Sequence, residues 1–280
     1  MPYLENALVD RTIVAQSIYG DYPHLVADIS LCIENDIKNE LGRFVQEYSA
    51  FLNAQEKYFR IDLYFDGNYV YVIEVNVEVA DGWGVALNLL RAVGSTPREC
   101  RALPKVFPTF SGDPRETEFR LAIDEFARLG VNSVVEVLPG RTFDPLDNKL
   151  HLARFTHAWV GQRVLIPRVY WKESTIWDDV PHDVYLKFAD KFCLEAIKSR
   201  YSAKPRVELG KAKQMKLLYG EGRVIAQDRI DSMRTTCGKQ VQAVVMCTAS
   251  EVVTGYIQIA PQGRTVINDK GTEKGALIFL

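Results

Sequence analysis

The chain has 280 residues, with 34 basic and 36 acidic side chains, four His and a formal charge of −2. A composition of 47% hydrophobic and 25% charged residues belongs to folded globular proteins and excludes a disordered or fibrous chain. This length buries a core of its own, as one large domain or two modest ones, and the near-balanced charge gives no general case for binding nucleic acid.

After an irregular start, residues 33–52 carry Ile37, Leu41, Phe44, Val45, Tyr48 and Leu52 at the spacing of an amphipathic helix. Residues 59–65 and 69–79 then alternate with period two around Asp66-Gly67-Asn68, which predicts a hairpin whose turn tolerates positive φ. Asp81-Gly82-Trp83-Gly84 ends it, and residues 85–93 predict a helix. Strands are expected at 106–108, 133–138 and 164–170. A helix over 117–129 presents Phe119, Ala122, Ile123 and Phe126, and Gly130 stops it. This order predicts a βαβ unit over a parallel sheet. Residues 183–200 read as a helix through Val184, Phe188, Ala189, Phe192, Cys193, Ala196 and Ile197. Strands at 224–226, 241–247, 252–259 and 265–267 then suggest an antiparallel α+β lobe. No tandem repeat is present.

Cys32, Cys100, Cys193, Cys237 and Cys247 show no CxxC spacing, so neither a disulfide framework nor a zinc site is indicated. The four His are scattered and read as structural or exposed. No signal-peptide pattern opens the chain and no apolar run reaches the roughly 18 residues of a membrane span. The expected compartment is a reducing cytoplasm.

The charge is uneven along the chain. Residues 1–90 hold 14 acidic and 5 basic side chains, net −9, whereas residues 198–241 hold 11 basic and 4 acidic, net +7. Two solvated faces would give this pattern, and so would two ends meeting around a charged ligand.

Four constellations carry possible chemistry. Asp62, Glu74 and Asn76 share one face if both flanking stretches are strands of a hairpin, and such hard oxygen donors suit Mg²⁺. A half-solvated hairpin fits the same pattern, with Ile73, Val75 and Val77 packed on the other face in either case. Lys204 precedes Pro205 and is followed by Gly210-Lys211-Ala212-Lys213, where lysines can meet phosphate oxygens as point charges. The third is Val224-Ile225-Ala226-Gln227-Asp228-Arg229-Ile230. The fourth runs from Gly255-Tyr256-Ile257-Gln258-Ile259-Ala260-Pro261 to Arg264, Asn268, Gly271 and Gly275.

Taken in rotated order, the four resemble the ATP-grasp superfamily in its circularly permuted form, as in glutathionylspermidine synthetases and eukaryotic glutathione synthetases. The resemblance covers roughly residues 33–90 and 198–280. It implies an α+β / α/β fold, with an ATP-grasp unit built from 1–103 plus 181–280 and an α/β acceptor domain over 104–180. It puts Asp62, Glu74 and Asn76 on magnesium-binding positions. Lys204 and Lys211 fall near the phosphates, Gln227, Asp228 and Ile230 beside adenine, and Arg264 and Asn268 near the phosphate and acceptor. The implied activity uses ATP and Mg²⁺ to join a carboxylate to an amine or thiol through an acyl phosphate, with Lys204 and Arg264 holding anionic oxygens. The loop at Gly210 is poorer in glycine than the family's, Gln258 stands where many members have Arg, and Lys187 rivals one nucleotide-contacting Lys. Two other readings are a nucleotide-binding protein without ligase chemistry and a nucleic-acid module using the basic 198–241 segment, whose aromatic content (Tyr201 and Tyr219) is thin.

Overall fold

A computed structural model describes residues 1–14, 17–19, 22–23, 25–54, 57–77, 81–97, 103–113, 115–139, 144–189, 204–205, 212–261 and 272–280. Strand β1 is Tyr3–Asn6, followed by β2 (Ser17–Tyr19), β3 (Tyr22–Pro23) and β4 (Leu25–Ile33). Helix α1 (Asn35–Phe51) buries Ile37, Leu41, Phe44, Val45 and Tyr48, the stripe its spacing predicts. The hairpin forms as β5 (Tyr58–Asp66) and β6 (Tyr69–Val77), and Gly67 takes the left-handed φ of 52° that its turn requires. Next come α2 (Trp83–Ala92), β7 (Val106–Phe110), α3 (Glu116–Arg128) and β8 (Val134–Leu138). Helix α4 (Lys149–Phe155), β9 (Val164–Leu165), β10 (Val169–Tyr170), β11 (Val184–Phe188) and β12 (Lys204–Pro205) lead to α5 (Ala212–Gly220). The last elements are β13 (Val224–Asp228), β14 (Val241–Thr248), β15 (Val252–Ile259) and β16 (Glu273–Phe279).

The fold is mixed α/β. Eight strands make one sheet in the order β1-β4-β16-β15-β14-β5-β6-β9, and four make a second in the order β10-β13-β11-β12. Neighbours in the large sheet are antiparallel except β16 with β4 and β6 with β9. One face of that sheet packs on α1, where Phe44, Ile61, Leu63, Val245 and Ile257 share a core. Part of the other face is covered by α2 and α3, through Trp83, Phe119 and Phe126 against Val244, Met246 and Tyr256. The remainder turns toward the four-stranded sheet.

The expected βαβ unit is present: β7 and β8 pair in parallel and α3 crosses between them. Among the described residues of 104–180, only this part pairs with itself. Helix α4 packs on β6, while β9 and β10 join the two sheets made by the flanking sequence.

Helices α2 and α3 touch at Gly84. A Cβ there would stand 2.6 Å from the Ala122 nitrogen and 2.8 Å from the Glu118 carbonyl oxygen. Both obstacles are backbone, so Gly84→Ala must push the helices apart. We expect it to cost about 1–3 kcal/mol, seen as a lower denaturant midpoint at unchanged slope.

Several stretches differ from the sequence expectation. The start is not irregular: β4 is a nine-residue strand whose parallel partner, β16, is far away in sequence. Residues 164–170 form two strands rather than one. Pro167 lies between them, with no amide proton for a ladder, and the halves enter different sheets. Residues 184–188 are not helical. They form β11, whose five residues are all buried, and a short apolar run covered on both faces carries no helical period of its own. Residues 190–200, the rest of that expected helix, lie outside the described residues, as does the expected strand 265–267.

Candidate functional site

One wall of the site is built by the hairpin. Strands β5 and β6 set Arg60 opposite Asn76 and Asp62 opposite Glu74. Phe59, Ile61 and Leu63 face the α1 core, as do Val75 and Val77, so Asp62, Glu74 and Asn76 share the opposite face. Ile73 does not join Val75 and Val77 in the core, contrary to expectation. A β-bulge leaves it without a partner between Glu74 and Val72, and it turns into the cleft beside Glu74.

Asp62 and Asn76 are buried. Arg60 donates to both Asp62 oxygens, from Nε at 3.1 Å and from Nη2 at 3.4 Å, and its Nη1 donates to Asp81 at 2.7 Å. Burial raises the Asp62 carboxyl above its ordinary range; Arg60 opposes that rise and Glu74 adds to it. The Asn76 amide nitrogen is buried without a hydrogen-bond partner. Glu74 accepts from Lys149 Nζ at 2.8 Å. Lys149 opens α4, and that helix start is fixed twice. Asn148 caps it by accepting from the Leu150 N–H at 2.8 Å, and the Lys149 N–H donates to the Ala189 carbonyl at 2.8 Å.

The facing wall comes from the small sheet. Strands β11 and β13 are antiparallel, with Tyr185 opposite Gln227 and Lys187 opposite Ile225. Val184, Leu186, Phe188, Val224 and Ala226 pack with Leu218 and Tyr219 on one side. Alternation therefore turns Tyr185, Lys187 and Gln227 to the other, where they line a cleft with Asp62 and Glu74. Lys187 is buried and its Nζ donates to the Ile73 carbonyl at 2.7 Å. Burial pushes its ammonium down to about 8, against the pull of Glu74 and helped by the charge of Lys149. Asp228 accepts from the Tyr170 hydroxyl at 2.9 Å, and with Ile230 it borders both this cleft and an adjoining open hollow walled by Tyr71, Trp159 and Arg168.

Five of the residues singled out from sequence thus meet in one cleft: Asp62, Glu74, Gln227, Asp228 and Ile230. Asn76 is the next residue on the Glu74 face of β6. Lys204 stands on β12 in register with Leu186. Lys211, Arg264 and Asn268 lie outside the described residues. Gln258 is buried on β15 opposite Gln242, which lines the cleft from β14. Lys149 was missed entirely, and Lys187 stood only as a rival. The signal for Lys187 was there: Val184-Tyr185-Leu186-Lys187 alternates with period two.

Among the described residues no three His, Cys, Asp or Glu gather as a metal site, and no helix is long and apolar enough to cross a membrane. No protein-family model matches the chain, and no curated protein matches it.

Proposed function

We propose that the chain is an ATP- and Mg²⁺-dependent ligase of the circularly permuted ATP-grasp kind, joining a carboxylate to an amine or thiol. The observation that carries this reading is the meeting of Asp62 and Glu74 with Lys187, Gln227, Asp228 and Ile230 across one cleft between two sheets. These residues come from opposite ends of the chain, and they include both the metal-side and the adenine-side positions of the resemblance.

The donor set fits magnesium. Asp62 and Glu74 oppose each other as hard oxygen ligands, and Asn76 adds an amide oxygen on the same face, which leaves room for phosphates and water. Magnesium bound there supplies charge neutralisation to the phosphoryl group in transfer. The chain's own cations do the rest. Lys187 and Lys149 bring two ammonium groups to Glu74, and in this reading Lys187 takes the phosphate-holding role first given to Lys204. Tyr64, Tyr185 and Ile230 offer ring and apolar surface to a base, and Gln227 and Asp228 offer polar edges. Arg60 holds both Asp62 oxygens and so fixes the carboxylate's direction.

Titration calorimetry with ATP and magnesium tests the reading. Asp62→Asn and Glu74→Gln are each expected to weaken binding about 30-fold or more, as loss of one partner in a buried charged contact does. Parental affinity in both variants would sink the metal-site assignment. ADP release from mixtures of carboxylates with amines or thiols then identifies the acceptor, and binding without ADP release from any mixture would leave a nucleotide-binding protein.

A further inference from the structure

Among the described residues, the unit of β7, α3 and β8 gives nothing to the walls of the cleft. Yet one of its side chains is wholly buried against the start of α2, which leads back to the cleft. Glu118 of α3 lies at the start of α2, where its Oε1 accepts from the Gly84 N–H at 2.6 Å and the Val85 N–H at 3.4 Å. Gly82, the residue before α2, has no side chain with which to cap the helix, so the cap comes from a neighbouring helix instead. The Oε2 of Glu118 is buried without a partner. Burial first, and nearby Asp81 second, push this carboxyl up to about 8, so it is largely uncharged at neutral pH.

The capped turn is tied to the cleft. Asp81 stands just ahead of it and accepts from Arg60, and Arg60 donates onward to Asp62. Little solvent reaches this chain of contacts, since the Arg60 and Asp81 side chains are 20% and 16% exposed. The turn has no slack on the sheet side either. Gly82 has a φ of 120°, and a Cβ on it would lie 3.1 Å from Tyr256 Cε1 and 3.2 Å from Met246 Sδ. That geometry bars a Ser or Asp from Gly82, so no side chain at the head of α2 can cap it locally. Capping from α3 instead makes the place of the turn depend on the α/β unit.

We propose that Glu118 is a positioning residue for the cleft: it fixes the first turn of α2, which places Asp81, which holds Arg60, which orients Asp62. The relay rests on these contacts alone. Its consequence for nucleotide rests on the reading of Asp62 as a magnesium ligand.

The Arg60 Nε–H signal in ¹⁵N NMR reads the far end of the relay in the nucleotide-free protein. Solvent exchange of that proton is expected to be slow in the parent and in Glu118→Gln, whose amide oxygen keeps the cap without a charge. In Glu118→Ala and Asp81→Asn it is expected to speed up about tenfold or more. Unchanged exchange in Glu118→Ala overturns the relay; should that variant not fold, unchanged exchange in Asp81→Asn does so. The same proteins are titrated with ATP in magnesium and in EDTA. Glu118→Ala is expected to lose about tenfold in the magnesium-dependent part of the affinity, with magnesium-free binding unmoved and Glu118→Gln restoring the parental value. Equal losses with and without magnesium mean a general structural role and overturn the proposal. An Arg60 signal that responds in a protein that binds no ATP leaves the relay standing and removes the ligase reading.

Discussion

Lys187→Met is expected to lower the affinity for magnesium-ATP by about 100-fold or more, the scale of removing a buried charged contact, while the folded protein keeps or gains stability. The two effects have one cause. Lys187 carries its ammonium in a buried place, and its depressed pKa records that the folded state disfavours the charge. Methionine keeps the length and apolar stem of the side chain and removes the charge, which relieves the fold. Glu74 and Asp62 offset only part of the cost of burying that charge, and a polyphosphate adds the rest, so the liganded protein is the state that needs the lysine. Calorimetry and a thermal melt on the same sample check both signs. Unchanged affinity would remove Lys187 from the site, and a large loss of stability would mean that its bond to the Ile73 carbonyl matters to the fold instead.

Stability is expected to depend on pH through Glu118 and Lys187 in opposite directions. The Glu118 carboxyl sits near 8 when folded and near 4.5 when unfolded. Between those values the folded state holds a proton that the unfolded state has lost. Its contribution is therefore full below about pH 4.5 and is lost as pH climbs to 8, by an amount on the order of 5 kcal/mol. Glu118→Gln does not titrate, so its stability relative to the parent is expected to grow across that window and then level off. Lys187 is lowered from 10.5 to about 8, so between these values the unfolded state binds the extra proton and stability rises with pH. The advantage of Lys187→Met over the parent is accordingly expected to shrink from pH 8 upward. Urea midpoints across pH 4.5–10 check both differences; a flat Glu118→Gln difference would mean that the carboxyl is ionised in the folded protein. Differences are the quantity to read, because Cys32 and Tyr71, both pushed up to about 12, weaken the fold at alkaline pH on their own account.

Much of the hairpin was legible because its information is local. The period-two pattern, the Asp66-Gly67-Asn68 turn and the two-residue spacing of Glu74 and Asn76 follow from strand geometry alone. The bulge at Ile73 was not legible, since a bulge is a mismatch between two strands and belongs to neither. Lys187 was hidden for another reason. Apart from Lys187 its strand is apolar on both faces, and only the alternation of Tyr185 and Lys187 distinguishes it from a helix. Lys149 had no signal of its own, because its meeting with Glu74 depends on where α4 docks against β6. Gln227, Asp228 and Ile230 were found as a stretch, but nothing local says that the stretch faces Asp62. That follows from the order of two sheets.

The parallel pairing of β4 with β16 has a consequence for how the molecule is made. Leu31 and Ile33 of β4 are buried, yet their strand's partner on that side is formed by residues 273–279. During synthesis β4 and the apolar stripe of α1 leave the ribosome well before β16, and β4 lacks its parallel partner until that strand has emerged. The β1–β4 edge is thus closed late and by a distant segment, the kind of non-local contact that slows folding and leaves an open strand edge at risk of pairing with another chain.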